Sequence, residues 1–116
     1  MASRCPPKPN LSDRPLLHER QASELAALFK VLANDTRLRL LHALVRKGEL
    51  CLTDLAHTVQ MSPQAVSNQL QRLTTQGILA SKRNGSNVLY RVVDPCVTDL
   101  LDRGLCLGED SRRRKP

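Results

Sequence analysis

Apolar residues recur at helical spacing over residues 16–33, where Leu17, Leu25, Leu28, Val31 and Leu32 are the candidates for burial. The residues before them, 1–15, are proline-rich and polar without any period, which predicts a flexible arm. A second helix is predicted over 35–46, capped by Asn34 or Asp35 and stopped at Gly48, with Leu38, Leu41, Leu44 and Val45 as its apolar stripe. A third, over 52–60, buries Leu52, Leu55, Ala56 and Val59. Ser62-Pro63 marks the clearest helix start in the chain. Serine suits the N-cap, and proline suits the first helical position, where its missing N–H costs nothing. That fourth helix runs over 63–76 and closes at Gly77. Strands are predicted over 79–83 and 88–93, joined by Asn84-Gly85-Ser86-Asn87. Asp94-Pro95 repeats the cap-and-proline signature and starts a last helix ending near Arg103, with an irregular stretch beyond Gly104.

Helix, tight turn, polar-faced helix and hairpin is the order of a winged helix-turn-helix. The fold class expected is mainly α with a small β-hairpin, a dimeric winged helix-turn-helix. Residues 1–15 form the arm, 16–107 the DNA-binding and dimerisation domain, and 108–116 a basic tail. At 100° per residue, Val66, Leu70 and Leu73 share one face of the fourth helix. Gln64, Asn68, Gln71 and Thr75 take the opposite one, with Ser67 on the shoulder and Arg72 alongside. That face is polar but almost uncharged. A solvated helix usually shows Glu and Lys there, whereas a row of amides suits adenine edges in a major groove. Lys82, Arg83 and Arg91 bring positive charge to the hairpin, where it can meet backbone phosphates or a minor groove.

Composition narrows the picture. With 116 residues there is room for one core. Only Phe29 and Tyr90 are aromatic, so the stacking platforms of single-strand and RNA-loop binders are missing. The net charge of +7 suits a partner made of phosphates. Part of it is the run Arg112-Arg113-Arg114-Lys115, which reads either as a solvated tail or as a phosphate-contacting arm. No apolar run is long enough to span a membrane, and the first residues do not form a secretory signal, so a cytoplasmic protein is expected. The cysteines, at positions 5, 51, 96 and 106, contain no C-x-x-C and are not expected to pair as structural disulfides in a reducing compartment. No closely spaced acid–base pair points to an enzyme.

Glu49-Leu50-Cys51 before Asp54-Leu55-Ala56, then residues 62–73, then Gly85 and Tyr90-Arg91-Val92, resemble the ArsR/SmtB family of small winged-helix, metal-sensing repressors. The stretch from Val31-Leu32-Ala33-Asn34-Asp35-Thr36-Arg37 to Leu41 is similar to that family's second helix. The resemblance implies a homodimer that binds double-stranded operator DNA and leaves it when a metal ion or another inducer binds. It places Cys51 on the first cysteine of the family's metal box. Thr53 stands where the second cysteine would be, which breaks the two-thiolate form. It makes Cys5, Asp54 and Asp94 secondary candidates as ligands. Cys96 falls near the last-helix zinc site of other members, whose histidine partner is missing here.

The metal candidates are thus Cys51, Cys96 and Cys106. A helix N-terminus would favour a thiolate at Cys96. Cys106 lies ten residues further on, so one ion reaches both only if the helix turns back after Gly104 or a second chain contributes. Thiolates without histidine suit a soft ion. Mercury(II) is expected first, followed by cadmium, lead, arsenic(III) and copper(I), with zinc also considered. The segment from Asp94-Pro95-Cys96 to Gly104-Leu105-Cys106 is similar to that of mercury-resistance members of the family. Histidines 18, 42 and 57 read as ordinary surface or core residues. Two alternatives stay open: a thiol-redox-sensing repressor of the same fold, and a cytosolic thiol metal carrier.

Overall fold

A computed structural model describes residues 7–114. After a 3-10 turn at Leu11–Asp13, the chain forms helices α1 (Glu19–Leu32) and α2 (Asp35–Lys47), strand β1 (Leu50–Cys51), helices α3 (Leu52–Val59) and α4 (Pro63–Thr75), strands β2 (Leu79–Asn84) and β3 (Asn87–Val92), and helix α5 (Pro95–Arg114). Lys8–Val93 is one compact unit, and α5 belongs to a second.

Side-chain caps fix where the helices begin. The His18 Nδ1 accepts from the Gln21 N–H (3.3 Å) while Gln21 Oε1 accepts from the His18 N–H (3.2 Å), a reciprocal box that starts α1. Asn34 Oδ1 takes the Arg37 N–H (3.0 Å) at the head of α2. Ser62 Oγ takes the Ala65 N–H (3.2 Å) at the head of α4, with Pro63 at the first helical position as expected. Gly48 ends α2 with φ of 90°, a value that favours glycine. The turn between α3 and α4 instead puts Gln60 at φ 57°, the one left-handed non-glycine residue among those described.

The core of this unit is aliphatic. Leu40, Leu41 and Leu44 of α2, Leu55 of α3, and Val66, Leu70 and Leu73 of α4 are its largest fully buried side chains. Each removes enough apolar surface from water to contribute about 1.5–3 kcal/mol. Leu52 is half-buried rather than buried. Leu38 and Val45, expected inside, are exposed, because the buried stripe of α2 passes through Leu40, Leu41, Ala43 and Leu44 instead. The first helix departs further from expectation. Only Leu32 of α1 is buried, while Leu25 is 41% and Phe29 45% exposed. Leu17 lies before α1 and is also exposed. Leu25 and Phe29 are four residues apart and so share a face, which is exposed among the described residues.

The sheet is three-stranded and antiparallel in the order β1-β3-β2, not the simple hairpin expected. Leu50 pairs with Tyr90 and Cys51 with Leu89. Across the hairpin, Leu79 pairs with Val92 and Asn84 with Asn87, so the loop is only Gly85-Ser86. Gly85 takes φ 66° as the first loop residue, where a two-residue turn of the II′ kind needs glycine.

In the second unit, Asp94 Oδ1 accepts from the Cys96 N–H (2.8 Å), the cap expected before Pro95. The helix does not end near Arg103. It passes through Gly104 and Gly108 to Arg114, because two isolated glycines lower helix propensity without breaking the backbone hydrogen bonds.

Candidate nucleic-acid interface and thiol positions

Helices α3 and α4 meet at the Gln60-Met61-Ser62 turn, which presents α4 with its apolar side inward and its amides outward. Gln64, Asn68, Gln71, Arg72 and Thr75 are all exposed, and Ser67 is half-buried at the edge. The amides satisfy one another along the helix: Gln64 Nε2 donates to Asn68 Oδ1 (3.2 Å) and Gln71 Nε2 to Thr75 Oγ1 (3.4 Å). These are weak, solvent-facing bonds that a base edge can replace.

On the hairpin, Arg83 and Arg91 are exposed. Lys82 is paired rather than solitary. Its Nζ lies 3.3 Å from Glu49 Oε2, on the residue that precedes β1. The acidic partner was not anticipated, since nothing in the spacing of Glu49 and Lys82 announces that β1 joins the sheet.

The thiols occupy three different settings. Cys51 is half-buried, free, and serves two elements at once, as the end of β1 and as the residue before the first turn of α3. Cys106 is free and exposed on α5, with its Sγ donating to Asp110 Oδ2 (3.8 Å); Asp110 in turn accepts from Arg113 Nη2 (2.6 Å). Cys96, half-buried on the first turn of α5, is disulfide-bonded. That corrects the expectation of unpaired thiols and of a thiolate at this position. Compartment and spacing along the chain do not report distance in space. Cys51 and Cys106 keep free thiols. Cys5 lies outside the described residues.

The unbroken α5 removes one route to a shared ion. Ten residues of continuous helix separate Cys96 from Cys106 by about 15 Å of rise and about 80° of rotation. One ion cannot take both from the same chain. Asp94, considered as a ligand, spends a carboxylate oxygen on the Cys96 N–H, and Asp54 is exposed in the first turn of α3. Among the described residues, no group of three or more His, Cys, Asp or Glu side chains is placed to hold a metal ion. His18 is a cap, and His42 and His57 are exposed. No helix among the described residues is long and apolar enough to cross a membrane.

Residues 34–81 match the model of the bacterial regulatory protein arsR family. A relative from Synechocystis, named as a transcriptional repressor SmtB homolog, is 39% identical over 78% of this chain and 77% of its own. Other relatives are named for resistance to arsenic, cadmium and, in Streptomyces lividans at 35% identity over 74% of this chain and 68% of its own, mercury. The crystal structure of the AntR antimony-specific transcriptional repressor is 59% identical, covers 95% of this chain and 99% of its own, and superposes with a TM-score of 0.79. A homodimeric winged helix-turn-helix DNA-binding domain from Mycobacterium bovis is 26% identical over 88% of this chain and 96% of its own, with a TM-score of 0.73. With the helix-turn-helix and the wing, these likenesses identify the chain as a member of the ArsR/SmtB family, a homodimeric, DNA-binding, metal-sensing transcriptional repressor and not an enzyme.

Proposed function

We propose that this repressor leaves its operator when a soft, thiophilic ion is captured by cysteine thiolates, with antimony(III) or arsenic(III) ahead of mercury(II). The observation that carries the choice of ion is the near full-length likeness to an antimony-specific repressor. Trivalent antimony and arsenic, like mercury, prefer sulfur to oxygen donors, and the candidate ligands here are thiols without a histidine among them. Mercury(II), the ion expected first from the sequence, stays as the next candidate. Cadmium, lead, copper(I) and zinc follow.

The ligands in this reading are Cys96 and Cys106 drawn from both chains of the homodimer, and Cys51 is a separate candidate. The length of α5 between Cys96 and Cys106 supports a site shared across the two-fold axis. Capture at Cys96 requires its thiol in the reduced state. Cys51 is tied by its backbone to the wing strand and by its position to α3, so a load on it acts on both parts of the DNA-binding device.

On the DNA, Gln64, Ser67, Asn68, Gln71 and Arg72 of α4 read base edges, and Lys82, Arg83 and Arg91 of the wing hold phosphates. The exposed Leu25–Phe29 face of α1 is covered by the second subunit. The dimer then sets the two reading helices one DNA turn apart, and ion capture changes that spacing. An affinity ratio of about 5- to 150-fold between the two states is the usual range for such coupling. Operator binding by the reduced protein, titrated with antimonite, arsenite, mercuric, cadmium and zinc salts, tests the reading. Release at the lowest concentration by antimonite or arsenite supports it, and release by zinc alone contradicts it.

A second reading is favoured by one observation, the disulfide at Cys96. In it, oxidation rather than metal releases the DNA. Release by peroxide or diamide in the absence of any metal, reversed by a thiol reductant, distinguishes it.

A further inference from the structure

Arg37 makes contacts that no role in ion capture or base reading explains. Its Nε donates to Gln69 Oε1 on α4 (2.7 Å), and its Nη1 donates to the Val31 carbonyl in the last turn of α1 (2.8 Å). Its own N–H is held by the Asn34 cap of α2. One half-buried side chain therefore ties α1, α2 and α4 together.

Each of those bonds has a physical reason. Helix α1 ends at Leu32; the Ala33 N–H goes to Phe29 and the Asn34 N–H to Leu32, and neither takes the Val31 carbonyl. A helix C-terminus leaves such carbonyls without partners and carries partial negative charge, so a guanidinium is well matched to it. The planar fork lets the same group reach the Gln69 amide with its other edge, which an ammonium cannot do with comparable direction. Gln69 is half-buried and sits beside Asn68, the central amide of the outward face of α4.

We propose that Arg37, acting through Gln69, is a positioning residue for sequence-specific DNA binding: it sets the roll of α4 against α1. A roll of about 10° displaces a side-chain tip about 5–6 Å from the helix axis by about 1 Å. That is enough to spoil a two-point hydrogen bond to a base while leaving phosphate contacts largely intact. The inference rests on α4 being the helix that reads DNA.

The test uses the full-length reduced protein with Arg37→Lys, Gln69→Met and the double variant, all of which preserve net charge or alter only a neutral group. Affinities are measured for the best duplex selected in vitro by the wild type and for a random duplex, well below each variant's melting temperature. Each single variant is expected to lose roughly 3- to 10-fold for the selected duplex and less than about 2-fold for the random one, and the double variant to be no worse than the weaker single. Unchanged discrimination in Gln69→Met, parallel losses on both duplexes, or fully additive losses each overturn the proposal. Gln64→Ala and Asn68→Ala serve as controls. If they also leave discrimination unchanged, the reading of α4 fails and takes the proposal with it. If they reduce it while the Arg37 and Gln69 variants do not, the proposal fails alone.

Discussion

Lys82 Nζ on the wing lies 3.3 Å from Glu49 Oε2, two residues before Cys51. A wing cation offered to a phosphate must first part from this carboxylate. The pair is largely solvent-exposed, so its strength is modest. Glu49→Gln is therefore expected to raise affinity for any duplex by roughly 2- to 5-fold and to steepen its salt dependence by up to about one unit of slope. Fluorescence anisotropy across a range of potassium chloride concentrations measures both; a fall in affinity contradicts the competition.

The outward amides of α4 and the wing cations should fail in different ways. Gln64→Ala, Asn68→Ala and Gln71→Ala are each expected to cost about 1–3 kcal/mol of discrimination between the operator and base-substituted duplexes. Arg83→Ala should weaken all duplexes alike and reduce the salt slope by about one unit. Competition assays on a panel of single-base variants separate the two patterns.

Phe29 and Leu25 form an apolar face of α1 that is exposed among the described residues. Phe29→Glu is expected to give a folded monomer that binds a half-site weakly and whose melting temperature no longer depends on protein concentration. Analytical ultracentrifugation reads the mass directly. A dimer of wild-type strength would place the two-fold axis elsewhere.

Gly104 sits inside α5, and a Cβ built on it meets nothing within 4 Å. Gly104→Ala should accordingly stabilise the helix by about 0.5–1 kcal/mol. Circular dichroism during thermal unfolding checks this, and a loss of helicity would mean that the chain bends at Gly104 after all.

Much of this architecture was legible because local chemistry and hydrophobic period agreed. Ser62-Pro63 and Asn34 announced their helices, and Val66, Leu70 and Leu73 announced which side of α4 is buried. What escaped notice depended on distant parts of the chain or on a second one. Two residues, Leu50-Cys51, are too short to show a strand period, and only pairing with Tyr90 and Leu89 makes them β1. Leu17 and Leu25 have the spacing of core residues, and periodicity does not say whether the cover comes from the same chain. Nothing in the sequence sets Arg37 apart from an ordinary helix cation, since neither Val31 nor Gln69 signals that it will need a donor. The disulfide state of Cys96 was hidden for the same reason, spacing along the chain being no guide to separation in space.

The most direct test of thiolate-driven release is operator dissociation of the reduced dimer on adding antimonite, compared between wild type, Cys96→Ser and Cys106→Ser. The wild type should let go at low micromolar or lower ion, while both variants hold DNA as tightly as the unloaded protein and stay bound at concentrations at least about tenfold higher, equivalent to about 1.4 kcal/mol of lost coupling. Equal release from all three proteins, or no release from the wild type by antimonite, arsenite or mercuric ion, would contradict the account.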